Sequence, residues 1–504
     1  METKEDESTF RGTMANGLRP LIRINFLLGV STYTLSSTGV RQHPCQNFSL
    51  ARVIFTLILI IISASFTFYK MVDTLIWNQM YLSDAVSRFN KMVDLICQFV
   101  ANITPCTIML LGLVRANATN NFFDEMEKYN AGVGGFAEPR KVHSVSRRCL
   151  AMLAIIIAIL TLLLLLRVDP WEIMVIVGFK DKAIELLAAL VFSIIEAFLI
   201  ICKQTAITFI EVFSVALATC FNVVIENLTK FILKEAESWE EEYVGKQKEF
   251  RMKQEANREA QAESVNQQKR TQGMTPGQKI CYVISKMQCV STMQSTVNGV
   301  IGPFIALDLV FIVVQVVILT YLLIRNIGVH ISGLYPESQN SYIPVQEYNA
   351  SAIITSNAKF LNNEGTETKT YLFIASPYGW LFFFGCDLCL AIRLILIIKY
   401  LAKVYNSSVK FNGALSNALI TAQRLTDLLP KVRGELENEK KYVLLEEVRP
   451  LVTSTEAHTI VTFVSVNSAN PVAATAGGLF TFTGSTILLI ASVIISYVVF
   501  LLQA

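Results

Sequence analysis

A chain of 504 residues that is 53% hydrophobic and 16% charged, with a mean hydropathy of +0.47, carries more apolar surface than a soluble domain can hide from water. The excess calls for lipid, so the expected class is an all-α, polytopic membrane protein. A net charge of +3, dispersed along the chain, argues against nucleic acid as a partner.

Residues 1–51 read as a cytoplasmic segment. The opening METKEDESTFRG is acidic and polar and lacks the basic and apolar parts of a cleavable signal, so the first span is expected to act as its own insertion signal. Residues 18–40 are amphipathic, and Arg19 and Arg23 there suggest an interfacial helix. A span needs roughly 20 apolar residues. Seven stretches qualify, at 52–72, 92–114, 149–168, 183–203, 303–325, 371–399 and 479–502. Pro105 interrupts the second, whereas the third, CLAMLAIIIAILTLLLLLRV, is unbroken.

Residues 52–233 thus hold helices 1 to 4. The helical pattern runs without Pro or Gly from Ala183 to Ile232. That is about 75 Å of helix, too long for one crossing, so the fourth span is expected to continue into the cytoplasm. A charged insert follows at 234–278, closed by TPG at 275–277 and read as a solvated helix or a partly disordered segment. Residues 279–403 carry helices 5 and 6 around a polar outer loop at 326–370, where Asn349 is a glycosylation sequon. The other sequons, at Asn47, Asn102, Asn117, Asn227 and Asn406, fall in spans or on the inner side and are discounted. Residues 404–478 are amphipathic and helical, an expected cytoplasmic assembly region, and 479–504 form the last span.

Orientation follows from Lys and Arg in short loops. With the N-terminus inside, the short inner segments carry eleven such residues and the outer loops six. Seven crossings then place the C-terminus outside. None of the ten cysteines lies in an expected outer loop, which argues against a disulfide framework, and the CxxC of Cys386 and Cys389 lies within an apolar helix and reads as packing.

Enzyme signals are absent: the four histidines are scattered and no nucleophile, phosphate-binding or metal motif occurs, so no catalytic residue, metal or cofactor is expected. Charges inside spans are the functional candidates. Glu185, Glu196 and Lys203 share one face of the fourth helix; Asp308 lies in the fifth span, Asp387 and Arg393 in the sixth. They point either to a hydrated pocket or to helix pairing. Glu185, Glu196 and Asp387 are ligand-binding candidates on this basis. Tyr378 and Trp380 join them because their rings could stack on a small ligand, although both also suit interfacial anchoring.

The last span reads GLFTFTGSTILLIASVIISYVVFLLQA. Ser485, Ser492, Ser496, Val499 and Gln503 recur at helical spacing as a narrow, largely polar stripe. Such a stripe lines an aqueous axis when subunits assemble, or packs a helix through small residues; the Gln503 amide favours the axis.

Here the chain resembles the arthropod gustatory receptor family of the insect chemoreceptor superfamily. That family's signature is Thr-Tyr, five hydrophobic residues and Gln-Phe; this chain has Ser496-Tyr497, VVFLL and Gln503-Ala504. Gly478-Leu479-Phe480 resembles the family's approach to the last span, LRPLIRINFLLGV its opening, and Ala402-Lys403-Val404-Tyr405-Asn406 its stretch after the sixth span. Ser replaces Thr and Ala replaces Phe, and the 234–272 insert is long for the family. The resemblance implies a tetrameric, ligand-gated, non-selective cation channel of the plasma membrane of sensory neurons, opened by a small-molecule tastant, with identical or mixed subunits. Its pore-lining positions would be Ser496, Tyr497, Val499, Gln503 and Ala504, to which the polar stripe adds Ser492.

Two rival classes are a seven-span G-protein-coupled receptor and a secondary transporter. The first places its N-terminus outside, against the charge bias, and usually carries an outer-loop disulfide. The second usually shows internal repeats, and none is visible.

Overall fold

The computed structural model describes residues 50–81, 85–115, 207–241, 274–332, 377–438 and 451–503, with isolated positions between 118 and 159. The expected interfacial helix at 18–40, the 183–203 stretch, insert residues 242–273 and loop residues 333–370 lie outside the described residues. What is described is almost wholly helical. In chain order the helices are α1 (Leu50–Tyr81), α2 (Ala85–Val114), α3 (Ile207–Glu241), α4 (Pro276–Val300), α5 (Gly302–Ser332), α6 (Pro377–Asn438), α7 (Ser454–Ala469) and α8 (Thr486–Gln503). A two-stranded antiparallel hairpin, β1 (Thr475–Ala476) and β2 (Phe480–Thr481), joins α7 to α8.

Three of these helices are long and apolar enough to cross a membrane: α3, the Gly302–Ile324 part of α5, and α8. They differ in what covers them. The apolar window of α3 is 78% buried within the protein, that of α8 only 11%, so α3 owes its composition to a protein core and α8 presents its apolar surface outward. Phe122 packs edge-on against Phe213 and Tyr129 against Phe221, while Met126 and Val133 complete the same buried face.

α5 is the central element, packed against α2, α6, α8 and β1. α2 continues through Pro105, which costs one backbone donor without ending the helix. Sequence alone gave no sign of α4, which a capping box opens: the Thr275 hydroxyl accepts from Gln278 N–H and the Gln278 side chain accepts from Thr275 N–H. A second box, Thr453 with Glu456, opens α7, and the two helix starts meet where Gly277 N–H donates to Leu451 C=O.

α6 is one rod of 62 residues, about 93 Å, so the expected boundary near 403 falls inside a continuous helix. Beyond it three polar side chains join the apolar ones on the buried face of α6. Ser407 donates to Asn222 on α3, Asn412 accepts from Asn467 on α7, and the Ser408 hydroxyl accepts from Val472 N–H at 3.0 Å. The insert, expected as a solvated helix or a partly disordered segment, begins differently: α3 continues to Glu241, Trp239 is buried, and Glu235 pairs with Lys279 at 2.9 Å. The last helix starts at Thr486 rather than 479, because the Ala476–Leu479 turn needs Gly477 and Gly478 at positive φ (57° and 79°) and the chain must reverse before it rises again.

Candidate functional site

Three features stand out, each built where α5 meets a neighbour.

The first is a charged cluster in an apolar interior. Arg393 of α6 holds Glu211 of α3 in a forked ion pair, with Nε 3.1 Å from both carboxylate oxygens and Nη2 2.6 Å from Oε1. Asp308 of α5 is buried beside them and interacts electrostatically with both. Two carboxyls and one guanidinium thus pin three helices at one level. A planar guanidinium suits the role, since it satisfies a carboxylate through two parallel bonds. Asp308 and Arg393 were visible in the sequence as charges in spans. Glu211 was missed, although it is a lone acid in the apolar run ITFIEVFSVAL.

The second is a corner clamp. α4 and α5 follow one another directly and break at Ile301, because Pro303 has no N–H to give to the carbonyl of Gly299. Arg115, at the end of α2, supplies the missing donor, with Nη1 2.8 Å from Gly299 O. Asn298, just before the break, grips the hairpin at two backbone points: Nδ2 donates to Ala473 O at 2.9 Å, and Oδ1 accepts from Thr475 N at 3.0 Å. Gln294 steadies the Asn298 amide from one turn away. Gly302 then lies so close to the turn that a Cβ would come within 2.9 Å of Gly477 N and 3.0 Å of Thr475 O. Positive φ at Gly477 completes this backbone-to-backbone contact. The strand leading to α8 is therefore clamped to the corner where α2, α4 and α5 meet.

The third is α8. Thr486, Ile490, Ile494, Val498 and Leu501 face the protein's own core, mainly α5. Ser485, Ser492, Ser496, Val499 and Gln503 are all exposed, within about 40° of one line on the opposite face, at 100° per residue. Ser496 spends its hydroxyl proton on Ser492 O, a local bond that leaves an oxygen facing outward. Tyr497 is exposed but lies on the flank, about 100° from Ser496. Ala504 lies outside the described residues.

The remaining candidates divide. Asp387 accepts from Thr320 of α5 at 3.1 Å through Oδ2, while its other oxygen is buried without a partner. Tyr378 and Trp380 fall in the first turn of α6, but their side chains are outside the described residues, as are Glu185, Glu196, Lys203 and Asn349. Asp387 is therefore not joined here to the other ligand-binding candidates. Cys386 and Cys389 are free thiols, and among the described residues no group of three His, Cys, Asp or Glu could hold a metal.

Residues 18–392 match the family model described as 7tm chemosensory receptor. No curated protein matches the chain. Among solved structures, the olfactory receptor OR5 from Machilis hrabei aligns over 96% of both chains at 11% identity, with a TM-score of 0.55. The same receptor in complex with eugenol aligns over 97% of this chain and 99% of that one, at 12% identity and a TM-score of 0.49. At such identities the likeness speaks for the fold, and the family match stops before α8, so the terminal motif and the family model cover separate parts of the sequence. The family model agrees with the sequence resemblance: the chain belongs to the 7tm chemosensory receptor family.

Proposed function

We propose that this protein is a gustatory-receptor-like chemoreceptor: a tetrameric, ligand-gated, non-selective cation channel opened by a small-molecule tastant. It acts in the plasma membrane of sensory neurons, with seven spans, a cytoplasmic N-terminus and an extracellular C-terminus. One observation carries the reading. α8 turns an apolar stripe to its own core and a hydroxyl-and-amide stripe away from it, leaving the polar side free to meet the same helix of other subunits. Four such stripes around one axis would line a wet path; in a lone subunit they would face lipid at a cost. Ser496-Tyr497 and Gln503 favour the gustatory branch, since they stand where that family keeps its terminal signature.

Ligand binding among the outer helices would bias α5 and α6, and the corner clamp would carry that bias to the hairpin and α8. The pore lining would be Ser492, Ser496, Val499 and Gln503, with Tyr497 and Ala504 at its rim. Asp387, with its unpartnered oxygen, is the ligand-binding candidate best supported by the side chains around it.

The test is cysteine substitution along α8 in a heterologous cell, with a ligand screen read as current. Block by a thiol reagent is expected at Ser492, Ser496 and Gln503 but not at Ile490 or Ile494. Block at Ile490 and Ile494, without block on the polar stripe, would refute the pore assignment. Topology is tested independently at Asn349, which should be glycosylated in a eukaryotic host; an unmodified Asn349 beside a modified Asn117 would invert it.

A further inference from the structure

We infer that the exposed face of α6 carries a binding site for the headgroups of anionic phospholipids in the inner leaflet. Along one stripe of this helix the exposed residues are Leu388, Ile392 and Ile395, followed by Lys399, Lys403, Asn406 and Lys410. The spacings are four, three, four, four, three and four, so the seven side chains stay on one side of the rod. The stripe is purely apolar for about 10 Å from Leu388 to Ile395 and turns cationic within one turn.

On the seven-span reading proposed above, α6 carries the sixth span and its exposed apolar run faces acyl chains. The first cation beyond it therefore stands at headgroup depth. Lys399 and Lys403 are about 6 Å apart along the axis. Among the described residues neither pairs with a carboxylate, unlike Lys279 with Glu235. Tyr400 lies between them, and the Lys403 ammonium sits 5.0 Å from its ring centre. An aromatic ring at the interface with two uncompensated cations fits a phosphate diester at the edge of the hydrocarbon. The occupant we assign is the lipid, because the cationic stretch continues the apolar stripe without a break. That the leaflet is the inner one rests on the topology proposed above.

The full-length protein, purified in detergent, is titrated with phosphatidylserine, phosphatidylcholine or inorganic phosphate while its apparent melting temperature is followed. Each lysine near an anionic surface gives about a fivefold gain, so in Lys399→Gln/Lys403→Gln the phosphatidylserine needed for half-maximal stabilisation should rise about 30-fold. Phosphatidylcholine should act alike on both proteins. A charge-matched control, Lys230→Gln/Lys234→Gln on the exposed side of α3, should behave as wild type, and Lys399→Arg/Lys403→Arg should keep the response. An unchanged response in the Gln pair, an equal loss in the control, or equal stabilisation by inorganic phosphate would overturn the assignment. Because the titration takes place in detergent, its outcome is independent of the topology, which glycosylation at Asn349 reads separately.

Discussion

Replacing Arg393 should damage this protein far more than replacing its partner Glu211. Both side chains are almost fully buried, and Asp308 is buried beside them, so the cluster holds two acids and one base. Arg393→Met removes the cluster's only cation among the described residues and leaves two carboxyls facing each other in an apolar interior. Breaking a buried pair by deleting one partner typically costs about 3–5 kcal/mol. Glu211→Gln removes one acid, keeps a hydrogen-bonding oxygen within reach of the guanidinium and leaves Asp308 as counter-charge; the expected loss is that of a weakened charge-assisted bond, about 1–2 kcal/mol. Both variants are measured by the apparent melting temperature of the detergent-purified protein, with surface expression as a second readout. Arg393→Met should fall by several degrees more than Glu211→Gln. If Glu211→Gln is equally damaging, the two-acid arrangement does not act as one cluster, and the Glu211–Arg393 bond is an isolated pair to which Asp308 contributes nothing.

Gly302→Ala places a Cβ against two backbone atoms that cannot swing aside, so the hairpin must shift, at a cost of about 1–3 kcal/mol. Ligand-evoked current should change more than surface expression does; full current with a wild-type dose response would free the clamp of any part in gating. At Gln503 the proposed pore carries a neutral amide, so Gln503→Glu should raise cation-over-anion permeability and Gln503→Ala should alter conductance; unchanged permeation in both would take α8 out of the pore. Burial first, and the nearby Glu456 carboxylate second, push the Cys281 thiol above its ordinary pKa, so the reactive thiolate is scarce. Glu456→Gln keeps the α7 capping box but removes the negative charge, so alkylation of Cys281 at pH 8, followed by peptide mass spectrometry, should speed up; an equal or slower rate would show that Glu456 does not act on it.

What the sequence determined by itself is set by local chemistry: the membrane class from apolar excess, the helical run at 207–232 from an unbroken pattern, and the polar stripe of the last helix from its spacing. Helix periodicity fixes which residues share a face, so Ser492, Ser496 and Gln503 could be grouped without a fold. Which way that face points depended on the partner helix, and only the packing of Ile490, Ile494 and Leu501 against the core settled it. The same limit hid Glu211, because an acid in an apolar run becomes legible only when a cation 182 residues away reaches it. Asn298 reads as one polar residue among many until its amide meets the hairpin 175 residues on. Spacing along a chain encodes faces of a helix, whereas contacts between distant segments arise from how those faces meet, and that only the tertiary structure decides.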